Sequence, residues 1–88
     1  MMANYFAHTV TDTATKVLDA DNLNREVFLQ IVGNTTVYLG DNDAVTDANG
    51  FPIVKHTAPI RGLLGAGQEL WAIVASGTES LRIFTTVD

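Results

Sequence analysis

Apolar and polar residues alternate along this chain in short runs separated by turn-forming residues, which is the spacing of β-strands and not of helices. The clearest run is residues 25–40, Arg-Glu-Val-Phe-Leu-Gln-Ile-Val-Gly-Asn-Thr-Thr-Val-Tyr-Leu-Gly. It predicts two strands, residues 26–32 and 35–39, joined as a hairpin through a tight Gly33-Asn34 turn, where glycine accepts positive φ. In the first strand Val27, Leu29 and Ile31 point one way and Phe28 and Val32 the other. One face can fill a small core; the second then needs another sheet, a loop or another subunit.

Further strands are predicted on the same grounds. Residues 5–10 form a short strand or an extended arm, and residues 13–18 alternate weakly, with Thr15 and Val17 on one side. Residues 59–64, 69–75 and 80–87 follow, the last placing Leu81, Ile83, Thr85 and Val87 opposite Arg82, Phe84 and Thr86. That terminal strand is too apolar for a solvent-facing one and predicts a buried terminus. Turns fall at residues 19–24, 65–68 and 76–79, and residues 40–50 form the longest irregular stretch. Pro52 argues against a central strand at residues 51–53. No segment keeps helical periodicity; the best candidate, residues 14–18, is short and surrounded by β-branched residues. The fold class is therefore all-β, a small antiparallel sandwich or barrel of about 6–8 short strands. The expected organisation is an N-terminal extended arm over residues 1–12 and a single β domain over residues 13–88.

Size sharpens the picture. With 88 residues there is room for one domain, and one this small is marginally stable unless something supplements it. The chain has no cysteine, so disulfides and thiolate metal sites are excluded. Oligomerisation or docking on a larger surface is the remaining supplement. Hydrophobic residues make up 47% and charged residues 17%, a balance that argues against disorder. No apolar run approaches the roughly 20 residues that span a bilayer. The first residues show neither the basic region nor the apolar stretch of a signal peptide, so folding in a cytoplasm is expected. The net charge is −5, and the five cations, Lys16, Arg25, Lys55, Arg61 and Arg82, are scattered in sequence. Nucleic acid is not an expected partner, because phosphate binding needs clustered cations.

Several pieces, in order, resemble small virion proteins of tailed bacteriophages, of the head-decoration type. They are Asn22-Leu23-Asn24-Arg25, Thr36-Val37-Tyr38-Leu39-Gly40, Val45-Thr46, Asn49-Gly50-Phe51-Pro52 and Gly65-Ala66-Gly67-Gln68-Glu69-Leu70-Trp71-Ala72. The resemblance covers about two-thirds of the chain. It implies a small β domain that binds without cofactors, on the capsid surface of a virion assembled in the cytoplasm of a bacterial host. Capsid decoration, head–tail joining, and a tail or fibre module are all compatible with it.

Candidate chemistry is sparse. Asp41, Asp43 and Asp47 share one loop with Asn42, Thr46 and Asn49, and oxygen-rich loops can hold Ca²⁺. The loop departs from the EF-hand pattern at Val45 and lacks the required Gly and terminal Glu. Turn chemistry accounts for its Asp and Asn residues equally well. His8 and His56 lie far apart in sequence, without metal-ligand spacing; His56 is expected on an exposed loop. A catalytic triad would need Ser76 or Ser80 beside one of these histidines, and Ser76 lies in an ordinary Ala-Ser-Gly-Thr turn, not a nucleophile elbow. Asp19, Asp21, Glu26, Glu69 and Glu79 fall at turns and strand ends, which suits a solvated surface and not a glycosidase cleft. No catalytic, metal or cofactor residue is assigned.

The interface candidates are the aromatics Tyr5, Phe6, Tyr38, Phe51, Trp71 and Phe84, because such side chains dominate interface hot spots, although a lone Trp in a strand of a small β-protein is more often core, and Trp71 and Tyr38 fit either place. The first dozen residues read as an arm that adds a strand to a neighbour's sheet edge. The functional expectation is a non-enzymatic protein that binds and stabilises a phage capsid. Its expected partner is the major capsid protein or another virion protein, with a homo-oligomer, a trimer included, on the way. The alternative outside virion assembly is a carbohydrate-binding module, with Trp71 or Tyr38 as a stacking platform and Asp41, Asn42 and Asp43 bonding hydroxyls.

Overall fold

Alternation along the last strand sets the architecture: Leu81, Ile83 and Thr85 are buried, whereas Arg82 and Phe84 face solvent. In the computed structural model, which describes residues 2–55 and 59–87, eight strands form. They are β1 (Met2–Thr11), β2 (Thr15–Leu18), β3 (Arg25–Ile31), β4 (Val37–Gly40), β5 (Phe51–Ile53), β6 (Ile60–Leu64), β7 (Leu70–Val74) and β8 (Thr78–Val87). They build two four-stranded antiparallel sheets, ordered β1-β8-β3-β6 and β2-β7-β4-β5. One core lies between them, to which Val10, Val27, Leu29, Ile31, Leu81 and Ile83 of the first sheet and Val17, Val37, Ile53, Ala72 and Val74 of the second contribute. The fold is a β-sandwich.

The expected β3–β4 hairpin does not form. β3 pairs with β8 and β6, whereas β4 pairs with β7 and β5. Residues 32–36 carry the chain from one sheet to the other, and Gly33 does not adopt positive φ. The cause is Glu79 of β8. Its carboxylate accepts the N–H of Gly33 (2.8 Å) and of Thr35 (2.7 Å), pinning the crossing. A Cβ at 33 would lie 2.7 Å from both carboxylate oxygens, so any larger residue has to push the Glu79 side chain out of this contact.

Sequence-adjacent strands share a sheet only at β4–β5 among the described strands, and residues 41–50 are that hairpin's loop. Val45 plugs it from beneath, almost fully buried. The loop closes so tightly that a Cβ on Gly50 would come 2.7 Å from Tyr38 Cβ and 2.9 Å from the Thr46 carbonyl oxygen. Gly50→Ala is expected to lower the melting midpoint by about 5 °C or more, since a backbone atom cannot swing aside; a thermal melt followed by circular dichroism checks it. Pro52 sits on β5, at the sheet edge, where its missing N–H costs no ladder bond.

Residues 2–11, expected as an arm for a neighbour, pair along their length with β8 of the same chain. The boundary at residue 12 therefore does not divide the first sheet from an appendage. The reason is that β1 has an inner row of its own, in which Phe6, His8 and Val10 lie opposite Ile83, Leu81 and Glu79, and Val10 is fully buried. A bulge in β2 turns both Val17 and Leu18 inward.

The turns are clamped to one another. Arg25 is buried at the start of β3, and its Nη2 donates to the carbonyls of Asp19 (2.9 Å) and Gln68 (3.2 Å). Asn24 Oδ1 accepts the Ala66 N–H, and the Gly67 N–H reaches the Asp21 carbonyl. Gly67 takes positive φ, +81°, as the turn requires. Two of the sequence pieces that carry the virion-protein resemblance, around Asn24-Arg25 and around Gly65–Gln68, thus meet in space as a structural lock.

Candidate functional site

Cross-strand register places residues that are remote in sequence on one line. Tyr5 of β1 lies opposite Phe84 of β8, Phe84 opposite Phe28 of β3, and Phe28 opposite Arg61 of β6. All four point away from the core, so a row of three aromatics and a guanidinium crosses the whole outer face of the first sheet. Tyr5 is 60% exposed and Phe84 43%. The Phe28 and Phe84 rings are tilted, 6.3 Å apart. Arg82 Nη1 donates to the Tyr5 hydroxyl (2.8 Å), which fixes that ring at the edge of the row. On the other side Arg61 Nε donates to Glu26 (2.7 Å), and Leu63, opposite Glu26, is 81% exposed. Shallow grooves run beside the row, one lined by Phe28, Gln30, Pro59 and Phe84, another by Gln30, Val32, Lys55 and Arg82; Tyr5 borders both.

Of the six aromatic candidates, this face gathers Tyr5 and Phe84. Phe6 lies on the inner side of β1, stacked 6.2 Å from His8, and lines a cleft of about 360 Å³ with Leu23 and Arg25. His8 Nε2 is buried there with no hydrogen-bond partner among the described residues. Phe51 is 67% exposed at the open edge between β5 and β6, over an apolar gap that also involves Leu39, Ile60 and Leu70. Tyr38 and Trp71 belong to the outer face of the second sheet and are half-buried. Trp71 Nε1 donates to Glu69 (3.1 Å). Lys16, beside it, is held between Asp19 and Glu69, and its hydrogen bond to Asp19, then the Glu69 charge, raise its pKa. Phe28, Arg61 and Arg82 were not singled out in the sequence. The pattern of β3 puts Phe28 on the face opposite Val27, Leu29 and Ile31, but only the structure turns that face outward and shows what stands beside it.

The remaining polar candidates stay apart. In the loop of residues 41–50, Asn42 Oδ1 caps the Ala44 N–H (2.8 Å), Asn49 Oδ1 caps the Thr46 N–H (2.7 Å), and Asn42 Nδ2 donates to Asp41 (3.0 Å). The first two are local caps, in which the side chains serve the loop's own backbone, and the third joins two neighbouring side chains. No group of three His, Asp or Glu side chains converges among the described residues. Ser80 and His8 point to opposite faces, since His8 pairs with Leu81. His56 lies outside the described residues. Glu79 is buried; burial pushes its carboxyl up, but the N–H donors of Thr35, Gly33 and Ser80, helped by the Lys55 charge, prevail and hold the pKa below its ordinary value.

Fold and face together define a two-sheet antiparallel sandwich with an outward aromatic row. No protein-family model and no curated protein matches the chain. Among solved structures, the chain is similar to Aeromonas hydrophila PliG, a periplasmic lysozyme inhibitor of g-type lysozyme, at 8% identity and a TM-score of 0.46 over 98% of this chain and 86% of that one.

Proposed function

We propose that this chain is a non-enzymatic structural protein of a tailed-bacteriophage virion, binding and stabilising the capsid shell through the outer face of its first sheet. One observation carries the reading: the exposed row of Tyr5, Phe84 and Phe28, closed by Arg61. Tyr, Phe and Arg are the residue types enriched at protein interfaces and depleted from inert surface. They also lie on strands paired within one sheet, so docking orders little backbone and loses little entropy. The sequence resemblance to head-decoration proteins supplies the class of partner. A module of this kind acts by mass action, since its binding free energy favours the closed shell over its separated subunits. Repetition on a symmetric lattice multiplies modest contacts into avidity. Head–tail joining and a tail or fibre position use the same face in the same way, and a homo-oligomer fits this role.

Co-sedimentation of the purified protein with shells of the major capsid protein from the same genome tests the reading. The wild type is expected to pellet with shells at a fixed stoichiometry. Tyr5→Ala combined with Phe84→Ala is expected to weaken binding by about 30-fold or more. A wild type that stays in the supernatant with shells and with tail components alike would sink the proposal. Light scattering behind a sizing column gives the oligomeric state in the same preparation.

A further inference from the structure

The charge on the aromatic face runs against the charge of the molecule. The chain carries ten acidic residues against five cations. Among the described residues, three of those cations, Arg61, Arg82 and Lys55, border the aromatic row, whereas the only carboxylate on that face is Glu26, already paired with Arg61. Other acids lie elsewhere: Asp12, Asp19 and Asp21 in the loops after β1 and β2, Asp41, Asp43 and Asp47 in the β4–β5 loop, Glu69 beside Lys16, and Glu79 buried beneath the face within reach of the Lys55 charge. A face kept inert for solubility would share the acidic excess; this one carries three cations against a single carboxylate.

Resting on the docking reading above, we infer that the partner presents an acidic protein surface, with carboxylates placed to meet Arg82 and Lys55 around an apolar centre that receives Tyr5 and Phe84. Charge of opposite sign across an interface steers encounter and fixes register, while the apolar centre supplies most of the affinity. Arg82 suits this role because the Tyr5 hydroxyl occupies only its Nη1, leaving further donors of a planar fork for a carboxylate. Stacked aromatics beside arginines also suit single-stranded nucleic acid. Three cations on a molecule of net charge −5 are few for a phosphate backbone, so an acidic protein surface is the occupant favoured.

The experiment is a salt titration of binding to the same shells, with Arg82→Gln, Arg82→Lys and Lys55→Gln beside the wild type, each checked for an unchanged circular dichroism spectrum. Wild-type affinity is expected to fall about 10-fold between roughly 50 and 500 mM NaCl. Arg82→Gln and Lys55→Gln are expected to bind several-fold more weakly at low salt and to converge on the wild type at high salt, while Arg82→Lys keeps the salt dependence. If the charge variants and salt leave binding unchanged while Tyr5→Ala with Phe84→Ala abolishes it, the docking face stands and the acidic partner is overturned. If that aromatic double variant binds like the wild type, the docking reading itself falls. Displacement of shells by an oligothymidylate of about 20 nucleotides would overturn the inference in favour of single-stranded nucleic acid.

Discussion

Glu79→Ala is expected to destabilise the domain by about 3 kcal/mol, read as a lower urea midpoint at unchanged slope. The carboxylate is buried and accepts the N–H of Gly33, Thr35 and Ser80. Removing it strands three partly buried backbone donors, and hydrogen bonds to a charged acceptor are the strong kind. A domain of this size holds roughly 4–13 kcal/mol in total, so the loss is a large share. Gly33→Ala attacks the same contact from the other side, because its Cβ would lie 2.7 Å from both carboxylate oxygens. The two changes are expected to be non-additive: with alanine at 79 the added methyl group at 33 meets open space and costs far less. Additive losses in that double-mutant cycle would show that the pin is not what holds the crossing. The same carboxylate sets a pH dependence. Its folded pKa lies below the ordinary value of 4.5, so its stabilisation is fully present above that value and is lost as pH falls through the folded pKa. Glu79→Gln should flatten this part of the acid-side stability curve.

Two neighbours on β8 should behave as opposites. Ile83 is completely buried, opposite Phe6 and Leu29, and Ile83→Ala opens a cavity at the centre of the sandwich. About 4 kcal/mol is the expected loss, enough to leave a marginal domain largely unfolded on modest warming. Phe84, one residue on, points outward and is 43% exposed. Phe84→Ala is expected to change stability by about 1 kcal/mol or less, yet to remove the middle ring of the aromatic row and weaken shell binding on its own. Urea unfolding and shell co-sedimentation, run on both variants, separate the two roles. A Phe84→Ala protein as unstable as Ile83→Ala would mean that the row is core that happens to show, not a face kept for a partner.

Strand positions were largely legible in the sequence because alternation is local. Residues 26–32, 59–64, 69–75 and 80–87 all contain strands, and Leu81, Ile83 and Thr85 face the core as their spacing indicated. The apolar character of the last strand suits its place, since β8 lies inside its sheet between β1 and β3. Pro52 argued against a central strand for the same local reason, a missing N–H, and β5 lies at the edge of its sheet. The Asp and Asn residues of the β4–β5 loop were also readable as turn formers, since their partners lie within a few residues.

Pairing was not legible. Gly33-Asn34 has the composition of a hairpin turn, and local propensity has no way to sense that a carboxylate 46 positions later takes the Gly33 N–H and sends the chain to the opposite sheet. Residues 1–12 looked like an arm because nothing nearby folds them back; residues 2–11 pair with β8, at the far end of the chain. The functional face suffered the same blindness. Tyr5 and Phe84 stood out as aromatics, but Phe28 looked like one more apolar residue of a two-faced strand, and Arg61 and Arg82 like scattered charges. By itself the sequence determined which segments extend, which side of each is apolar, and that cysteine chemistry is absent. Tertiary structure alone decided which strands lie side by side, and so that three rings and a guanidinium form one row. The physical reason is that side-chain alternation belongs to a single strand, whereas register belongs to pairs of strands whose contacts span most of the chain.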